Sequence, residues 1–264
     1  MASAARPDFP SGSEGPASLI DRLRRRLRAV EASTGLSHAG AGVVTLGVPP
    51  IDGVLGGGLI CGALHEIAAA RETETAAATG FALALAIRRN ADYLVWIAEE
   101  LSLAESGVPY GPGLDQVGFP PERLITVTTA HGRDVLWAME EALRCPAVGA
   151  VIGELRARGI DPVATRRLSL ATAAGNALAL LVRTAPDDEP SAAATRWIIG
   201  AARAGERWGV GPPRLAARLV RNRRGHPGAW IVEWNSVEQR FELATNSEPV
   251  AGAALDRSHR AAVA

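Results

Sequence analysis

Between residues 43 and 183, short and nearly unbroken apolar runs alternate with stretches of helical spacing, and this alternation constrains the fold more than any other feature. The runs fall at residues 63–68, 93–98, 124–127, 148–153 and 177–183. Strands that lack polar alternation are covered on both faces. Helical patterns lie between them at residues 75–90, 112–117, 132–144 and 161–175. Asp161 followed by Pro162 gives the last of these an N-cap and a proline at its first position. Strand–helix alternation of this length predicts an α/β fold with a doubly wound, mostly parallel sheet. After residue 183 the pattern changes. An acidic, proline-containing loop at 185–193 leads to runs at 195–199, 214–221, 229–234 and 239–243. These are read as a C-terminal antiparallel β extension, with a turn at 225–228.

The ends differ from the middle. Residues 1–17 are rich in Pro, Gly and Ser and are expected to be disordered. Residues 18–34 are read as an amphipathic helix, in which Leu19, Ile20, Leu23, Leu27 and Val30 form a stripe among Arg22, Arg24, Arg25, Arg26 and Arg28. The folded core is expected over 40–245 and a flexible tail over 246–264. A net charge of zero provides no global field for nucleic acid. The two cysteines and five scattered histidines have no metal-binding spacing. No signal-peptide core is present, and the longest apolar run, 76–87, is too short to cross a bilayer, so a cytoplasmic location is expected.

The stretch after the first strand decides the chemistry. Gly56, Gly57, Gly58 and Gly62 lead into that strand as they would in a nucleotide-binding core. A phosphate loop should follow, with glycines that let backbone amides converge, a Lys that neutralises phosphate and a hydroxyl that holds Mg²⁺. The chain instead reads Ala69, Ala70, Arg71, Glu72, Thr73, Glu74, Thr75, Ala76. Glu74 falls at the last glycine, Thr75 at the Lys and Ala76 at the hydroxyl, and the chain contains no lysine anywhere. A carboxylate about 4 Å from a phosphate charge opposes it by about 4 kcal/mol at an effective dielectric of 20. The expectation is therefore no bound nucleotide or other cofactor, no metal and no catalytic residue. Thr73 or Thr75 is expected to cap the helix that follows.

Several segments carry a family resemblance: LGGGLICGALHEI from Leu55, YGPGLDQVGFPPERLI from Tyr110, LWAMEEALR from Leu136, SAAATRW from Ser191 and RNRRGHPGAWIVEW from Arg221. In these segments the chain resembles the ImuA family, whose members have a RecA-like core with an abnormal phosphate loop. The resemblance implies a non-catalytic accessory role in error-prone translesion synthesis and the DNA-damage (SOS) response. It implies as partners an ImuB-type, Y-family-polymerase-like protein, RecA and an error-prone replicative-type polymerase, with DNA contact indirect or weak. It also places Glu100 where RecA-like ATPases carry the water-activating glutamate, and Glu154 at the end of a Walker B-like strand. Without a phosphate site, both are read instead as solvated acids at strand ends. Arg221, Arg223 and Arg224 fall where RecA-like filaments reach across a subunit interface; the alternative is a solvated basic turn. Arg22, Arg25 and Arg26 are candidates for partner or phosphate contact, and Trp197 is either a core residue or an interface anchor. Competing functions are an ATPase using Arg71 and Glu100, a DNA-binding module built on 203–224, and a damage-linked inhibitor of cell division.

Overall fold

The computed structural model describes residues 42–90, 92–156, 160–203 and 212–244. The predicted residues Arg22, Arg25 and Arg26, and the expected helix and tail around the core, lie outside that range. Among the described residues the strands are β1 (Val43–Val44), β2 (Leu59–Ile60), β3 (Ala63–Ala69), β4 (Tyr93–Glu99), β5 (Leu124–Thr129), β6 (Val148–Leu155), β7 (Leu178–Arg183), β8 (Thr195–Ala201), β9 (Arg214–Asn222), β10 (Gly228–Asn235) and β11 (Arg240–Leu243). The helices are α1 (Pro49–Leu55), α2 (Thr75–Arg89), α3 (Glu100–Ser106), α4 (Gly111–Gln116), α5 (Gly132–Leu143) and α6 (Pro162–Gly175).

Nine strands form one sheet in the order β11-β10-β9-β8-β3-β7-β6-β4-β5. The strands from β8 through β5 run parallel, and β9, β10 and β11 continue antiparallel from β8. Residues 195–199 are therefore not simply the first strand of an antiparallel extension. β8 is parallel to β3 on one side and antiparallel to β9 on the other, so it joins the two halves of the sheet. The apolar pattern of β8 does not reveal this, because both kinds of pairing bury it equally.

The sheet has a core on each face. Beneath α2, Phe81 packs 5.5 Å from Trp197 and 5.1 Å from Phe241 between ring centroids, and Trp234 lies 5.1 Å from Phe241. The small residues of α2 let that helix lie close to the sheet, and Asn90 ends it in the left-handed conformation, φ 46°. On the opposite face, Val135, Met139 and Leu143 of α5 and Leu168 and Ala171 of α6 bury against β4, β6 and β7. Gly175 allows α6 to meet the end of α5, since a Cβ there would stand 2.1 Å from the Leu143 carbonyl oxygen. Asp161 caps α6 as predicted, its Oδ1 accepting from Val163 N at 2.9 Å. Two short helices do not emerge from the periodicity. α1 turns at Pro49–Pro50 and ends at Gly56, φ 73°; α3 is too short to show a stripe.

Candidate functional site

The turn between β3 and α2 is a 3₁₀ segment, Glu72–Glu74. Two amides of the connection are engaged within the chain: Ala70 N donates to Ile199 O at 2.7 Å, and Glu74 N donates to Arg71 O at 2.8 Å. Neither amide is left to converge on an anion. The Arg71 guanidinium grips Glu74 with two bonds, Nε to Oε2 at 3.1 Å and an Nη to Oε1 at 2.8 Å. Ala201 N, on β8, donates to the same Oε1 at 3.3 Å. The Glu74 side chain is only 9% exposed although Arg71 is 75% exposed. The hydrogen bond from Arg71 holds the Glu74 carboxyl below its ordinary range, aided by the Ala201 amide and the Arg71 charge and opposed by desolvation. A carboxylate thus takes a guanidinium and a backbone amide that together could hold an anion. The expected threonine cap does not form. The residue at the N-cap is Glu74, no side chain caps α2, and Thr75 Oγ1 donates instead to Glu72 O at 2.7 Å.

One helical turn further along α2, Thr79 Oγ1 donates to Glu154 Oε1 at 2.5 Å. Glu154 is therefore not a solvated strand-end acid: it is buried. Burial pushes its carboxyl above the ordinary range, with the Thr79 hydroxyl and the Trp96 indole pulling the other way. Thr79 is not among the sequence candidates, because its role depends on β6 running beneath α2. Glu100 is exposed in the first turn of α3, where an acid complements the helix dipole. Its neighbour Glu99 accepts from Arg156 N at 3.1 Å. Among the described residues no cluster of His, Cys, Asp and Glu has the arrangement of a metal site, and no helix is long and apolar enough to cross a membrane.

Arg221 and Arg223 are exposed, and both donate to the Ser191 carbonyl at 3.1 Å. Arg224 is exposed, and its guanidinium lies over Gly56. The arginines and the phosphate-loop turn occupy opposite ends of β8: Arg221 is level with Arg196, whereas Ala201 is level with Leu215. Five strand positions at about 3.3 Å each separate the two levels by roughly 17 Å. These arginines therefore do not serve the turn of their own chain. Trp197 is a core residue and not an exposed anchor: it is fully buried, and its Nε1 donates to Thr195 Oγ1 at 3.1 Å.

A buried ion pair beside these arginines leaves little trace in the sequence. Glu66, in the middle of β3, accepts from Arg196 Nε at 2.8 Å and from the Ser191 hydroxyl. The other guanidinium nitrogens of Arg196 donate to Asp187 O and Glu189 O at 2.8 Å each, which pins the acidic loop to the sheet. The signal in the sequence is a glutamate, next to His65, inside a strand whose other residues are apolar.

No protein-family model matches the chain. Protein ImuA of Caulobacter vibrioides, from strain NA1000 / CB15N and from strain ATCC 19089 / CIP 103742 / CB 15, is 35% identical over 210 residues, covering 72% of this chain and 83% of the relative. Among solved structures, the RadB recombinase superposes with a TM-score of 0.55 at 15% identity, covering 76% of this chain and all of that one. That likeness shows the fold, a RecA-like α/β core with C-terminal antiparallel strands.

Proposed function

The chain belongs to the ImuA family, and from that premise we propose that it is a non-catalytic RecA-like adaptor in error-prone translesion synthesis and the DNA-damage response. On this reading it links RecA to an ImuB-type protein and an error-prone replicative-type polymerase, without an ATP cycle of its own. The observation that carries the reading is the turn at 69–76, where Glu74 is bonded to Arg71 and to the Ala201 amide and the Ala70 and Glu74 amides are already used. An incoming triphosphate would meet the Glu74 carboxylate, no lysine, and two turn amides that are already engaged. Glu154, shielded and hydrogen-bonded to Thr79, is poorly placed to hold a solvated Mg²⁺. Arg221, Arg223 and Arg224 offer donors for bidentate contact with acidic groups of a partner, at the far end of β8 from the turn.

Co-purification with the ImuB-type protein and with RecA tests the proposal. Binding of at least one at micromolar concentration is expected, weakened by joint Arg221→Ala and Arg223→Ala substitution. Absence of binding to both sinks the adaptor reading. ATP hydrolysis that disappears in Glu100→Gln would instead establish an enzyme.

A further inference from the structure

The two edges of the nine-stranded sheet are finished differently. At one edge, β11 is four residues long, and Arg240 within it pairs with Glu238 and Glu242. That edge is also covered: Phe241 N donates to Leu46 O at 3.0 Å, and Arg88 ties Thr45 to Gln239. At the other edge, β5 reads Leu-Ile-Thr-Val-Thr-Thr, with no charge, proline or bulge. Ile125, Thr126 and Thr128 are exposed, and among the described residues no backbone bond reaches β5 from its open side. Protein sheets usually blunt such an edge, because a row of free N–H and C=O groups with β-forming side chains is a template for another strand.

We infer that β5 pairs with β5 of a second copy of this chain, antiparallel about a two-fold axis at Thr126, to make one continuous sheet across a dimer. A two-fold axis normal to a sheet sets a residue opposite itself, so the registers available are few. Centred on Thr126, the pairing opposes Thr126 to Thr126, Ile125 to Val127 and Leu124 to Thr128. The exposed Ile125 gains an apolar neighbour, threonine faces threonine, and Arg123 falls against Thr129. Centred on Val127, the pairing would set Arg123 against His131 and leave Ile125 against Thr129. The strand's neutrality is what allows self-pairing, since any charge on the axis would meet its own like. The covered β11 edge cannot make the same contact. This inference is independent of the adaptor reading, because it concerns the opposite edge of the sheet from β11 and uses none of the turn or arginine residues.

Sedimentation velocity of the full chain tests it. The 27.5 kDa chain is expected as a dimer at tens of micromolar. Thr126→Glu and Thr126→Arg should each raise the dimer dissociation constant at least about tenfold by opposing like charges on the axis. Mixing the two variants should restore a heterodimer, and neutral Thr126→Asn should leave the dimer intact. If Thr126→Glu does not fold, Thr128→Glu should still weaken the dimer, since it charges a residue paired with Leu124. A monomeric wild type, a dimer indifferent to these charges, or a mixture that stays monomeric overturns the inference. An extended peptide of another protein bound at β5 of a monomer would count among those overturning results.

Discussion

Arg71–Glu74 and Arg196–Glu66 join the same residue types, and both bear on strands β3 and β8, yet they sit in different surroundings. The first lies at the rim, with its guanidinium 75% exposed. The second lies inside the sheet, with Arg196 13% and Glu66 2% exposed. A surface pair competes with water and contributes little to stability. A buried pair holds charges that become very costly when one partner is lost. Burial therefore separates a pair that the fold depends on from a pair that can change without loss of the fold. The turn between β3 and α2 carries a pair of the second kind, so substitution there is expected to leave the β3–turn–α2 geometry in place.

The largest effect is expected inside the sheet. Glu66→Ala leaves the largely buried Arg196 guanidinium without its carboxylate and the Ser191 hydroxyl without its acceptor; chemical denaturation should show a loss of about 3–5 kcal/mol. Next to that pair, Thr195 Oγ1 bonds His65 Nδ1 at 2.8 Å and accepts from Trp197 Nε1. Thr195→Val leaves these groups short of a partner and should cost about 1–3 kcal/mol in the same assay. A stability loss from Thr195→Val near zero would mean that the seam between β3 and β8 is less tightly specified than the comparison requires.

Glu154 gives a pH test with a definite sign. Burial raises its folded-state pKa above the ordinary value of 4.5. Its contribution is fully present below the unfolded pKa and is lost as pH rises through the folded value. Wild-type stability should therefore fall, relative to Glu154→Gln, as pH rises from about 4 toward 8. Glutamine retains an acceptor for Thr79, so the variant should be the more stable protein at pH 8 by thermal melting. The smallest effect belongs to the rim pair: Glu74→Ala should cost no more than about 1 kcal/mol in the same denaturation assay. A large loss there would place Arg71–Glu74 with the fold and erase the distinction.

How much of this is legible in the sequence follows from which interactions are local. The parallel strands β3, β4, β6 and β7 are readable because burial on both faces removes polar alternation, whereas β5, expected to be covered in the same way, is a largely exposed edge strand; Asp161 is readable because its capping bond spans two residues. The departure of Ala69–Ala76 from a phosphate-loop pattern is readable residue by residue. What fills the turn is less so, because the Ala201 amide that meets Glu74 arrives from a strand 127 residues away. Glu66–Arg196 spans 130 residues and needs the β3–β8 register to become visible. Trp197 is ambiguous for the same reason, since residues between an acidic loop and a basic one read as surface until β8 is placed in mid-sheet.

The central claim is that the turn holding Glu74 has no place for a triphosphate. Isothermal titration of the full chain with ATP and Mg²⁺ tests it most directly, with a thermal-shift series on the same samples. The account predicts no saturable heat and no shift. Saturable binding that stabilises the protein by about 2.7 kcal/mol at a hundred times the dissociation constant, and that is lost on Arg71→Ala, would contradict it.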